Sequence, residues 1–195
     1  MRRLLLGAAV LLALLAAACG DDESSSAAGG PALAEQWAGA VEGTDAYVSV
    51  FTLDDGQAGA YVADGADVAA LVLGTTEDGS IDLRPGGGVE VVVEGGGDEV
   101  SGTVTLDGEA HPFSAAASSG AAGWYRVRTE VDGDLISAGY IVLADGSQRG
   151  AVRRGDEVIA APELDTADPV VDVEGIGSLR LLPVADFVEQ ERGLA

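Results

Sequence analysis

The chain of 195 residues contains one histidine, His111, and one cysteine, Cys19, and these two counts bound most of the chemistry open to it. Nucleophilic catalysis by Ser or Cys needs a base within hydrogen-bond reach, and His111 is the one imidazole that could serve. No Gly-x-Ser-x-Gly elbow accompanies it. In "GEAHPFSA", His111 alternates with Phe113 and Ala115. That pattern reads first as a packed histidine and second as a proton shuttle or ligand contact. Zinc and copper draw on several His or Cys ligands, so no transition metal is expected. The acids at Asp54-Asp55, Glu77-Asp78, Asp98-Glu99 and Asp132/Asp134 do not follow the spacing of an EF-hand loop and read as solvated turn acids. A carboxylate pair for glycoside hydrolysis can always be found among 33 acids, but a sugar site also needs an aromatic groove, and aromatics are 5% of the residues. A carboxylate-based hydrolase therefore ranks third among the functions considered. No cofactor is expected.

The remaining constellation is "WYRVR". Alternation puts Trp124, Arg126 and Arg128 on one strand face and Tyr125 and Val127 on the other. With Arg149, Arg153 and Arg154 on neighbouring strands, these residues would make a basic island on an acidic surface. One reading has the arginines paired with acids and Trp124 capping a barrel. The other has an exposed Trp124 in a docking patch for an acidic envelope protein or polymer. Candidate contact residues are thus Trp124, Arg126, Arg128, Arg149, Arg153 and His111.

The elements that position these residues follow from composition. All ten basic residues are arginine, against 33 acids, for a formal charge of −23. Such a surface repels phosphate backbones, so nucleic acid is not an expected partner. With few aromatics, the core must be built from Val, Ile, Leu and Ala.

At the N-terminus, Arg2-Arg3 precedes an apolar run over 4–18, shorter than the roughly 20 residues a spanning helix needs. Small residues Ala16, Ala17 and Ala18 lead to Cys19. This pattern reads as a signal peptide. It resembles a bacterial lipoprotein signal, in which Leu and two small residues precede the cysteine; here Leu15 stands one place early and Ala16 takes its position. The resemblance implies cleavage before Cys19 and a diacylglyceryl anchor on its sulfur. Two acyl chains give stable attachment where one is marginal. The stretch "DDESSSAAGGP" that follows reads as a flexible tether.

From about Thr44 the pattern is short apolar runs between turn residues. Asp-Gly occurs at 55–56, 64–65, 78–79, 107–108, 132–133 and 145–146, and glycine triplets at 86–88 and 95–97. Asp-Gly between alternating segments signals a hairpin with a type I′ turn. Up to eight hairpins and ten or so strands are expected. Val100, Gly102, Val104 and Leu106 alternate with Ser101, Thr103 and Thr105, whereas around Phe51 both faces are partly apolar. Successive hairpins predict an all-β antiparallel meander closing into a small barrel, with a sandwich as the alternative. Helical periodicity is read at 32–40 and 186–192, with a third candidate at 66–73, and 162–169 is read as a crossing loop.

Several stretches, "EGTDAYVSV", "AYVADG", "GTVTLDGEAHPFSA", "AGWYRV" and "GYIVLADGSQRGAV", resemble a group of secreted and lipidated proteins of high-GC Gram-positive bacteria without an assigned activity. The resemblance covers about 41–154 and implies an extracytoplasmic β-rich domain, with no catalytic residue to transfer.

The organisation expected is a signal at 1–18, a lipidated cysteine and tether at 19–36, a β-barrel-like domain at 37–184 and a tail at 185–195. The function expected is a non-enzymatic binding or structural module of the cell envelope, membrane-anchored through Cys19. The alternative is a carrier of a small apolar ligand inside the barrel.

Overall fold

The computed structural model describes residues 32–193, so the expectations for the signal, Cys19 and the tether to Pro31 lie outside the described residues. Eight strands form the first sheet: β1 (Leu33–Ala40), β2 (Tyr47–Leu53), β3 (Gln57–Ala63), β4 (Ala69–Glu77), β5 (Ser80–Arg84), β6 (Glu90–Gly96), β7 (Glu99–Leu106) and β8 (Glu109–Ala117). Their order is β5-β4-β3-β2-β1-β8-β7-β6, with antiparallel pairing throughout. The first strand pairs with the last, so the expected meander curls into a barrel that lacks a strand ladder only between β5 and β6. There the chain turns tightly, Gly86 and Val89 exchanging hydrogen bonds of 2.9 and 3.0 Å. Pro85, immediately before Gly86, has no N–H to donate, and no ladder joins the two strands.

All eight marked turns join consecutive strands. At 78–79, 107–108 and 132–133 both Asp and Gly have positive φ, as type I′ turns require.

The segment read as helical at 32–40 is the strand Leu33–Ala40, correcting the helical reading of its Ala, Glu and Gln, and the candidate at 66–73 is not helical but runs into β4, Ala69–Glu77. Tertiary demand overrides propensity here. Without β1, strands β2 and β8 would both be open edges. In β1, Trp37 points into the barrel and Ala38 away from it. Closure also depends on Gly39, where a side-chain carbon would collide with the carbonyl of Ser114 and the backbone of Ala115.

The barrel interior is built from small branched side chains. Val48, Val50, Val62, Val72, Val100 and Val104 are buried in one cluster with Trp37 and Phe113. Leu83 and Val93, on the two strands of the open seam, are its most exposed members at 9% each.

The barrel accounts for only the first part of the expected 37–184 domain. The later strands form a second sheet, β12-β11-β10-β9-β15, from β9 (Gly123–Val131), β10 (Asp134–Val142), β11 (Gln148–Arg154), β12 (Glu157–Ala160) and β15 (Leu182–Pro183). This sheet lies against the outer wall of β2, β3 and β4, burying Phe51, Tyr61, Ala63 and Ala69 against Trp124, Ile141 and Ala151. Its other face is covered by the hairpin β13 (Val170–Val173) and β14 (Gly177–Arg180) and by the segment around Leu164. The expected crossing loop at 162–169 leads into that hairpin. The C-terminal helical reading holds, as α1 (Val184–Gly193).

Candidate functional site

Register in the second sheet decides which arginines meet. Ser137 of β10 pairs with Arg128 of β9 on one side and with Arg153 of β11 on the other. The next residues on the same face are Gly139, paired with Arg126, and Ile141, paired with Trp124 and Arg149. Three cross-strand rows therefore carry five of the six candidate residues, Trp124, Arg126, Arg128, Arg149 and Arg153, on the face turned toward the barrel.

Between that face and β3 and β4 lies a crevice of about 150 Å³ bordered by Tyr61, Leu71, Trp124, Arg126, Ser137 and Arg153. Arg153 is held by donating from Nη1 to the Ala69 carbonyl at 2.9 Å. Arg126 lies over two rings, its guanidinium carbon 4.7 Å from the Phe187 centroid and 5.3 Å from that of Trp124. Such stacking fixes a cation's position without removing its charge.

The phenol of Tyr61 reaches toward Gly139, its hydroxyl 3.5 Å from the carbonyl oxygen. A Cβ on Gly139 would sit 2.6 Å from the Tyr61 ring, so glycine is what admits the ring. Burial pushes the Tyr61 phenol above its ordinary range; Arg126 and Arg153 pull the other way with smaller effect. The group therefore stays a neutral hydroxyl beside two guanidinium cations. A hydroxyl beside two guanidinium groups makes a setting suited to an oxyanion, a carboxylate or phosphate oxygen.

Trp124 is 2% exposed, which corrects the reading of an exposed aromatic. It is stacked between the sheets, 5.1 Å from Tyr61 and 5.4 Å from Phe51. Arg128 is exposed beside Ser137. Arg149 belongs to a different place. It donates from Nε to the Asp45 carbonyl at 2.9 Å, lies 4.8 Å over the Tyr47 ring and borders a separate groove of about 430 Å³ with Asp64 and Glu163. Arg154 faces the other side of β11, donating from Nη2 to the Gly175 carbonyl at 2.6 Å. His111 is half-buried on the inward face at the start of β8, paired with Val104, and borders none of these cavities. The single basic island expected from sequence is therefore divided, with Arg126, Arg128 and Arg153 together and Arg149 and Arg154 elsewhere; His111, the remaining candidate contact, also lies apart.

Tyr61, Ser137 and Leu71 were not singled out from sequence. A signal existed in the two apolar faces around Phe51, which require a covering layer. The identity of that layer depended on pairings across some 80 residues.

Compared with known proteins, the chain matches no family model, no curated protein and no solved structure.

Proposed function

We propose that the protein is a lipid-anchored binding module on the extracytoplasmic face of the cell membrane, non-enzymatic, which engages an acidic group of an envelope partner in the arginine-lined crevice. The observation that carries this reading is the convergence of Arg126 and Arg153 with Ser137 and Tyr61 on one opening between the two sheets, with Arg128 paired to Ser137 beside it. The barrel interior, occupied by buried valines, favours a contact on the outside over a ligand carried within. Two of the large apolar side chains exposed at the surface extend the same opening. Leu73, 56% exposed, is the next outward-facing residue along β4 from Leu71, and Leu135, 51% exposed, is the next along β10 from Ser137. An acid flanked by apolar contact suits that arrangement. The rest of the acidic surface repels anions that come within a Debye length of roughly 8 Å, which confines anion contact to such a spot. The anchor rests on Cys19 and the small residues before it.

The test is a titration with glycerol 3-phosphate followed by amide NMR. Saturable shifts at Ser137, Gly139 and Arg153, weakened about tenfold or more in Arg153→Gln, support the reading. Shifts spread over the surface, or unchanged in the variant, overturn it.

A further inference from the structure

The second opening between the sheets is larger and chemically different. It is a groove of about 410 Å³ walled by the start of β1, the connection between β8 and β9, and the segment entering α1. Small-ligand sites occupy roughly 300–1,000 Å³. Among the described residues, three buried side-chain polar atoms have no hydrogen-bond partner, and two of them, Ser118 Oγ and Trp124 Nε1, belong to side chains bordering this groove. A buried donor left unmade costs about 1–3 kcal/mol, so two on side chains bordering one groove call for an acceptor.

The neighbouring groups define that acceptor. Gln36 is fixed by donating from Nε2 to Ser49 Oγ at 3.1 Å, and its Oε1 lies where a Cβ on Gly123 would come within 2.7 Å. Its amide oxygen is thus a positioned acceptor on the same wall. Glu35 at the rim is exposed and disfavours an anion. Ala34, Ala117, Ala122 and Gly123 give small side walls that let a main chain approach closely. The cover over Ser118 is a short turn, closed by Ala122 N–H donating to the Ser119 carbonyl at 3.1 Å and tied to β9 by the Tyr125 hydroxyl donating to Ala121 at 3.0 Å.

We propose that this groove binds a neutral amide-bearing ligand, a short uncharged peptide segment whose carbonyl accepts from Ser118 and Trp124 and whose N–H donates toward Gln36. The site is independent of the arginine crevice, although Trp124 borders both. Trp37, the chain's other tryptophan, borders the groove alone, donating from Nε1 to the Gly97 carbonyl at 2.7 Å. Its indole signal therefore separates the two sites.

The experiment titrates trialanine, acetylated and amidated at its ends, into the full chain in detergent. The indole N–H resonances of Trp37 and Trp124 report on the groove. Saturable movement of both resonances is expected, with affinity falling about five- to tenfold in Ser118→Ala and for trialanine with a free carboxylate. Ser118→Ala keeps the fold intact because its hydroxyl has no hydrogen-bond partner among the described residues. Movement of Trp124 without Trp37, equal binding by Ser118→Ala, or no saturable change up to millimolar peptide would overturn the proposal. A groove already filled by the chain's own 21–31 segment would show as both indole resonances moving on proteolysis of that segment, with no response to peptide, and this also overturns it.

Discussion

Trp124 of the second sheet lies stacked on Tyr61 of the barrel wall, ring centroids 5.1 Å apart and 15° from parallel. This contact joins two sheets that share no strand ladder, and it forms the floor between the crevice and the groove. Truncating Trp124 to Ala removes the stack with Tyr61 and with Phe51 at once. Loss of a large buried aromatic costs about 3–5 kcal/mol. Urea denaturation of Trp124→Ala should show that loss, with Trp124→Phe retaining most of the stability. A change below about 1 kcal/mol would mean that the sheets are held together elsewhere.

Gly139→Ala should act through the same joint. Its new methyl meets the Tyr61 ring at 2.6 Å and its hydroxyl at 2.7 Å, so either the ring or the strand must shift. Overpacking of this kind costs about 1–3 kcal/mol. Tyr61→Leu in the same chain should recover part of the loss, since the two sites are in contact and couple. Strict additivity in a double-mutant cycle would contradict the geometry.

Gly39→Ala tests how the barrel closes. The added carbon strikes the Ser114 carbonyl, so β8 must move away from β1. Hydrogen exchange should speed up selectively in β1 and β8, with a stability loss of about 2 kcal/mol or more. Uniform protection across the first sheet would contradict closure at this pair.

At alkaline pH the buried phenols set the direction. Burial raises both Tyr61 and Tyr140, whose hydroxyl also donates to the Pro162 carbonyl at 2.8 Å. In the unfolded chain both ionise near pH 10. Above that pH the unfolded state releases protons that the folded state keeps, so stability falls as pH rises; below it these groups contribute no pH dependence. Phenolate absorbance for these two of the four tyrosines should therefore appear together with loss of the far-ultraviolet circular dichroism of the sheets. Smooth ionisation of all four near pH 10 with the fold intact would contradict their burial.

Turn chemistry is local, and so the hairpins were legible in sequence. Asp78-Gly79, Asp107-Gly108 and Asp132-Gly133 adopt the backbone that their residue types favour. Strand β1 was not legible, because Ala34, Glu35, Gln36 and Ala38 favour a helix until β2 and β8 supply partners on both sides. The division into two sheets was hidden for a similar reason. Alternation shows which residues share a face, and it correctly grouped Trp124, Arg126 and Arg128, but not whether that face meets water or a barrel wall. Arg128 and Arg153 flank Ser137 through register over some 25 residues, and Arg149 leaves the group because it reaches Asp45, 104 positions away. Long-range pairing of this sort leaves no mark in a local pattern.

The most direct measurement is the intact mass of the protein extracted with detergent from the membranes of its producing cells, taken under native and then denaturing conditions. A lipid-anchored module with a packed barrel gives a chain beginning at Cys19 with diacylglycerol covalently attached, and no lipid-sized ligand lost on denaturation. A chain retaining Met1 or a free Cys19 thiol would contradict the anchor, and a stoichiometric apolar ligand released on denaturation would contradict the packed barrel.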